Sequence, residues 1–169
     1  MLFRSVIDML VDIVSRNGNL LLNFPLPGSG APDDRELAIL AEISKWMAVN
    51  SEGIYATRPW KIFGEGPGSQ VKGSAAFNER GRKDLTAEDV RFTVKGKTLY
   101  AFLMGWPGKQ AVVAPLATKG AQDVGKIRNV ELLGYKGKVK WTQDEAGLKV
   151  EMPEEKPSEY AVTLKVALG

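Results

Sequence analysis

Asp8 and Asp12 stand one helical turn apart in "MLFRSVIDMLVDIVSR", and two carboxylates at that spacing could divide acid and base work between them. Arg4 lies four residues before Asp8 and Arg16 four after Asp12, so the same carboxylates also fit two i,i+4 ion pairs on a partly solvated helix face. The ion-pair reading is the commoner one for such spacing.

Other chemistry is bounded by what the chain lacks. Its 169 residues contain no Cys and no His, which removes disulfides, thiolate and imidazole metal sites, cysteine nucleophiles and histidine-based triads. No Asp/Asn/Gly loop has calcium-binding spacing, so neither a metal nor a cofactor is expected. "GEGPG" at residues 64–68 contains a G-x-G, but without a strand-to-helix context or a following Gly-Lys-Ser/Thr it does not read as a phosphate cradle. "TAED" at residues 86–89 has capping-box form, yet a strand-like run follows it. Trp106 and Trp141 are the aromatic candidates for a glycan platform, and Trp46, at helical spacing, reads as core.

The bulk composition is that of a globular chain, 44% hydrophobic and 25% charged. The net charge of +3 comes from 23 basic and 20 acidic residues scattered along the sequence, so no nucleic-acid partner is expected despite a pI near 9.1. Asp8 and Asp12 interrupt the first apolar run, no small-residue cleavage site follows it, and no stretch reaches about 18 uninterrupted apolar residues. Neither a signal peptide nor a membrane span is expected.

Positioning elements follow from periodicity. Phe3, Val6, Ile7, Leu10, Ile13 and Val14 form a helical stripe, and Asn17 or Gly18 supplies the left-handed residue that ends the helix. Leu20, Leu21 and Leu22 are a continuous apolar run of strand length, which predicts a strand buried on both faces. A second helix begins near Pro32, with Asp33, Asp34 and Glu36 at its positive end and Leu37, Leu40, Ile43 and Met47 as its stripe, widened by Ile39 and Trp46. Residues 64–83, rich in Gly, polar and basic residues, read as a long loop.

Beyond Arg58 the pattern turns to short alternating segments. "VRFTVKGKTLYAFLMGW" predicts a hairpin turning at Lys95-Gly96-Lys97, with Phe92, Val94, Leu99, Ala101 and Leu103 on one face. With "AVVAPL", "VELLGY", "KVKWTQ", "GLKVEMP" and "YAVTLKVAL" it makes about seven strands. The expected fold is therefore mostly β: an antiparallel β-sandwich preceded by an incomplete α/β segment of helix, strand and helix.

Four ordered blocks carry a family resemblance: "LVDIVSRNGNLLLNFP" (10–25), "EISKWMAVNSEGIYATRPW" (42–60), "VRFTVKGKTLYAFLMGWP" (90–107) and "ELLGYKGKVKWTQDEAGLKVEMPEEKPSEYAVTLKV" (131–166). They resemble the C-terminal part of the family 29 glycoside hydrolases, the α-L-fucosidases. The chain departs at "NFPLPGSG", where the family more often reads Asn-Ile-Gly-Pro and then an acidic, Gly-containing loop. The resemblance implies that residues 1–57 hold the last strand and flanking helices of a (β/α)₈-like barrel, and that residues 58–169 form the C-terminal sandwich.

Function follows from the same resemblance. The family hydrolyses α-L-fucosides with retention, which needs two carboxyl groups about 5 Å apart. In the family both carboxyls, and the histidines that contact fucose, come from barrel segments preceding the matched region. No catalytic residue is therefore assigned, and the lone chain is expected to be inactive. Candidate substrate-binding residues are Asn23 and Phe24, at the end of the last strand where barrels place ligand groups. Asn23 can hydrogen-bond a sugar or orient a neighbour, the latter being commoner for a strand-end Asn, and Phe24 can stack or pack. Trp60 is expected as interdomain core.

Fucosylated glycans are the implied partners of the parent enzyme, and family members are often secreted, periplasmic or lysosomal. An apolar strand with unpaired edges also predicts self-association or completion by the rest of a barrel. The alternative function is a non-catalytic sandwich module that binds glycans or stabilises a partner.

Overall fold

The computed structural model describes residues 2–69 and 84–169, the side chains of residues 2 and 3 excepted. Among these residues two helices come first, α1 (Leu2–Ser15) and α2 (Asp34–Asn50), and the latter runs into a 3₁₀ turn at Ser51–Gly53. Eight strands of the described residues follow: β1 (Arg58–Glu65), β2 (Val90–Lys95), β3 (Thr98–Leu103), β4 (Gln110–Val113), β5 (Ile127–Leu132), β6 (Trp141–Asp144), β7 (Gly147–Glu151) and β8 (Val162–Leu168). They make a five-stranded sheet in the order β1-β2-β3-β8-β5 and a three-stranded sheet in the order β4-β7-β6, with every pairing antiparallel.

Strand alternation divides the molecule into three layers. In β2 and β3, Phe92, Leu99, Ala101 and Leu103 face the smaller sheet with Leu148 and Val150, and Val94 packs against them. That is the face expected from the sequence. The opposite face of the larger sheet presents Tyr100 and Phe102 to Ile7 and Val11 of α1 and Trp46 of α2. Period-two residues thus feed two cores from one sheet.

Asp33 caps α2, accepting from the backbone N–H groups of Arg35 and Glu36 at 2.9 Å, while Glu36 accepts from the Asp33 N–H. Trp46 and Asn50 are its buried residues, and Leu37, expected in its apolar stripe, is exposed. The 3₁₀ turn rests on the sheet through Gly53, where a Cβ would come within 2.7 Å of the Phe102 ring.

The strand expected around residues 20–22 carries no ladder: among the described residues nothing pairs with it. Leu21 is 85% exposed and Leu22 is also exposed, so the doubly buried strand is corrected to an uncovered segment. A central strand is buried on both faces only when neighbours on each side and a layer above and below enclose it. Within residues 64–83, Gly64 and Glu65 end β1 and Pro67–Ser69 form a 3₁₀ turn; residues 70–83 of the expected loop lie outside the described residues.

Candidate functional site

Asn23 is exposed and Phe24 half-buried. Both follow the turn at Asn17, whose φ of 68° ends α1 in the left-handed region, so the helix terminus falls where the sequence placed it. Trp60 stands edge-on to Phe92, with ring centroids 5.0 Å apart, and packs into the sandwich core. This corrects its expected interdomain place: β1 directs it to the face shared by the two sheets. Trp106 and Trp141 are likewise partly buried against that core. Trp141 lies opposite Val150 in the β6–β7 register, so its side chain takes the inward direction of that pair.

Two concavities are lined by described residues. A cleft of about 300 Å³ between α2 and the connection into β8 is lined by Glu42, Lys45, Trp46, Lys156, Ser158 and Tyr160 among others. Its polar groups answer one another: Lys45 donates to Glu42 at 2.6 Å, and the Tyr160 hydroxyl donates to the other oxygen of Glu42 at 3.3 Å. The Lys45 hydrogen bond holds Glu42 below its ordinary range, so this carboxylate is no proton donor near neutrality. A groove of about 480 Å³ opens beside Trp141 and Gln143, but the Gln143 amide is already used by Ile127, Leu116 and Gly125. Among the described residues no cluster of three or more metal-ligating side chains occurs, and no helix is long and apolar enough to cross a membrane.

A polar cluster lies between α1 and the larger sheet. Asp12 accepts from Nε of Arg91 at 2.5 Å and from Nε of Arg16 at 3.2 Å, while Arg4 lies 3.8 Å from Asp8. Both expected i,i+4 pairs are present, but the carboxylates turn inward to the sheet rather than outward to solvent. Arg91 has no exposed surface, and its Nη1 donates to the Ser69 hydroxyl and to the carbonyls of Glu65 and Val90. Asp89 is also buried and accepts from the Gly68 N–H at 2.6 Å and from the Thr86 N–H at 3.0 Å. "TAED" therefore closes a turn, and "GEGPG" wraps Arg91 and Asp89 rather than a phosphate. A Cβ at Gly64 would lie 2.9 Å from Nη1 of Arg91, and one at Gly68 2.8 Å from Oδ1 of Asp89. Sequence reasoning missed Arg91; the one signal available was its place in the alternation of β2, opposite in sense to Phe92.

These elements, helix pair then sandwich, follow the order found in known proteins. "Alpha-L-fucosidase C-terminal domain" matches residues 82–167, and "Alpha-L-fucosidase" matches residues 2–52. The chain belongs to the α-L-fucosidase family. The tissue alpha-L-fucosidase of Homo sapiens is 30% identical over 168 residues, covering 95% of this chain and 30% of the human protein. Among solved structures, alpha-L-fucosidase isoenzyme 1 from Paenibacillus thiaminolyticus superposes with a TM-score of 0.71 at 21% identity, covering 99% of this chain and 34% of that one. The Thermotoga maritima alpha-fucosidase, solved with a mechanism-based inhibitor, gives 0.72 at 20% identity over 98% of this chain and 34% of its own. At that identity the structural likeness is one of fold. The chain thus spans about a third of the length of the fucosidases it matches.

Proposed function

We propose that this chain is the C-terminal part of a retaining α-L-fucosidase-like glycoside hydrolase, with residues 1–57 closing the catalytic barrel and residues 58–169 forming the sandwich that braces it. The tandem match, fucosidase over 2–52 and fucosidase C-terminal domain over 82–167, carries the reading. On this reading the parent reaction is hydrolysis of α-L-fucosides, and the nucleophile and acid/base belong to barrel segments outside the matched region. Residues 19–24 then take the place of the last barrel strand, with Asn23 and Phe24 at its sugar-facing end. The uncovered Leu21 and Leu22 support a partner on that segment, either the rest of a barrel or a second copy.

The inward packing of Trp60, Trp106 and Trp141 supports a bracing role for the sandwich over a glycan platform. The deciding experiment follows release of the aryl group from an aryl α-L-fucoside by the purified chain, with Asn23→Ala as the control for contaminating activity. No turnover is expected. Turnover abolished by Asn23→Ala would mean that the chain assembles its own carboxylate pair, and would overturn the reading.

A further inference from the structure

We infer that Arg91 is a positioning residue, which pins α1 in one register on the sandwich and thereby sets where the chain enters the segment bearing Asn23 and Phe24. The inference rests on the reading of that segment as the end of a catalytic barrel.

Among the described side chains of α1, Ile7 and Val11, one turn apart, are fully buried and Val6 nearly so, with Leu10 and Val14 partly buried against the same core. Apolar contact has no direction, so these side chains by themselves do not fix one register of the helix. Two polar pins remove this freedom. Near its start, Nη2 of Arg4 donates to the Met104 carbonyl at 3.1 Å, in the chain just after β3. Near its end, Asp12 meets Arg91.

The second pin is the stronger of the two, because Arg91 is itself immobilised. Its Nη1 is held by the end of β1, by Ser69 and by the β2 backbone. Phe63 adds a flat surface: the Arg16 guanidinium lies 3.8 Å from its ring centroid and that of Arg91 5.5 Å away. Nη2 of Arg91 is buried with no hydrogen-bond partner among the described residues, so the side chain is kept at a desolvation penalty. Retaining a buried ion pair at such a penalty is best attested where it specifies register, and α1 is the element whose register needs specifying. Three residues beyond Asp12 the helix ends, and Leu20 follows within five more.

Segment-resolved hydrogen exchange on the full chain tests this, using wild type, Asp12→Asn, Arg91→Met and Arg91→Lys. Asp12→Asn and Arg91→Met should raise exchange in α1 by about tenfold or more while β3 and β8 stay within about twofold of wild type. Arg91→Lys should behave like Arg91→Met, since an ammonium cannot serve Asp12 and Ser69 together as the planar fork does. Equal acceleration of α1, β3 and β8 would make Arg91 a support of the whole domain and overturn the inference, as would unchanged exchange in α1. Should Arg91→Met fail to fold, Asp12→Asn decides alone. The readout needs no substrate, so it fails or succeeds separately from the fucosidase reading.

Discussion

The indole N–H of Trp46 donates to the carbonyl oxygen of Ala161 at 2.7 Å, joining the C-terminal part of α2 to the residue that precedes β8. Both groups are buried, and the Trp46 ring also lies against Phe102, with centroids 6.3 Å apart. A single side chain thus serves as apolar filler and as the partner of a backbone group that water cannot reach. Trp46→Phe keeps most of the filler and orphans the carbonyl, which should lower stability by about 1–3 kcal/mol. Trp46→Ala removes both, for about 3–5 kcal/mol. Urea unfolding of the two variants separates the contributions, and a Trp46→Phe chain as stable as wild type would mean that the hydrogen bond contributes nothing.

Gly66 has a φ of 100°, and a Cβ there would lie 2.3 Å from the Glu88 carbonyl oxygen and 2.7 Å from Cα of Asp89. Backbone atoms cannot yield as a side-chain tip can. Gly66→Ala should therefore cost about 2–4 kcal/mol, combining left-handed strain with overpacking. A thermal melt indistinguishable from wild type would show that the turn around Asp89 is not held as described.

Burial pushes the Glu65 carboxyl up to about 7 from its ordinary value of 4.5, against the opposing pull of the Ala114 N–H. The folded chain then holds this proton more tightly than the unfolded chain does. Its contribution to stability is fully present below about 4.5 and is lost as pH rises through about 7. Glu65 is only partly buried, so solvent screening reduces the effect to the order of 1 kcal/mol. Denaturation midpoints between pH 4 and 8 should fall with rising pH in wild type, with a smaller slope in Glu65→Gln. Parallel curves would assign the slope to other groups.

Residues 17–31, "NGNLLLNFPLPGSGA", contain no charge and carry the exposed Leu21, Leu22 and Leu26. No charge opposes pairing of residues 17–24 with an identical copy, while Pro25 and Pro27, which lack a backbone N–H, end the stretch that can pair. The scattering mass of the wild-type chain should rise with concentration, while the doubly substituted Leu21→Lys, Leu22→Lys chain should stay monomeric and keep its stability within about 0.5 kcal/mol. A wild-type monomer at high concentration would count against self-association.

Much of this architecture was legible in the sequence. The β2–β3 hairpin was readable because the alternation of Phe92 and Val94, then Leu99, Ala101 and Leu103, is a local property of two strands joined by a tight turn. The helix ends were readable for the same reason, since Asn17 and the Asp33 cap act through their own backbone neighbours. Trp60 was not, because local pattern does not say which of two cores a strand's face will meet.

The burial of Arg91 was hidden more deeply. Alternation in β2 separates Arg91 from Phe92, and an arginine on the second face of a sheet ordinarily meets water. Only when α1 covers that face does the residue lose solvent, and only the arrival of Asp12, 79 positions earlier in the chain, makes its charge tolerable there.

The sequence by itself determined the helix and strand periods, the turns, the exclusion of thiol and imidazole chemistry and the family, all of which reside in local spacing or residue type. Tertiary structure alone decided that the larger sheet has two buried faces, that the paired carboxylates of α1 turn inward, and that Leu21 and Leu22 go uncovered. Burial depends on which distant segments arrive to exclude water, and no local pattern encodes that arrival.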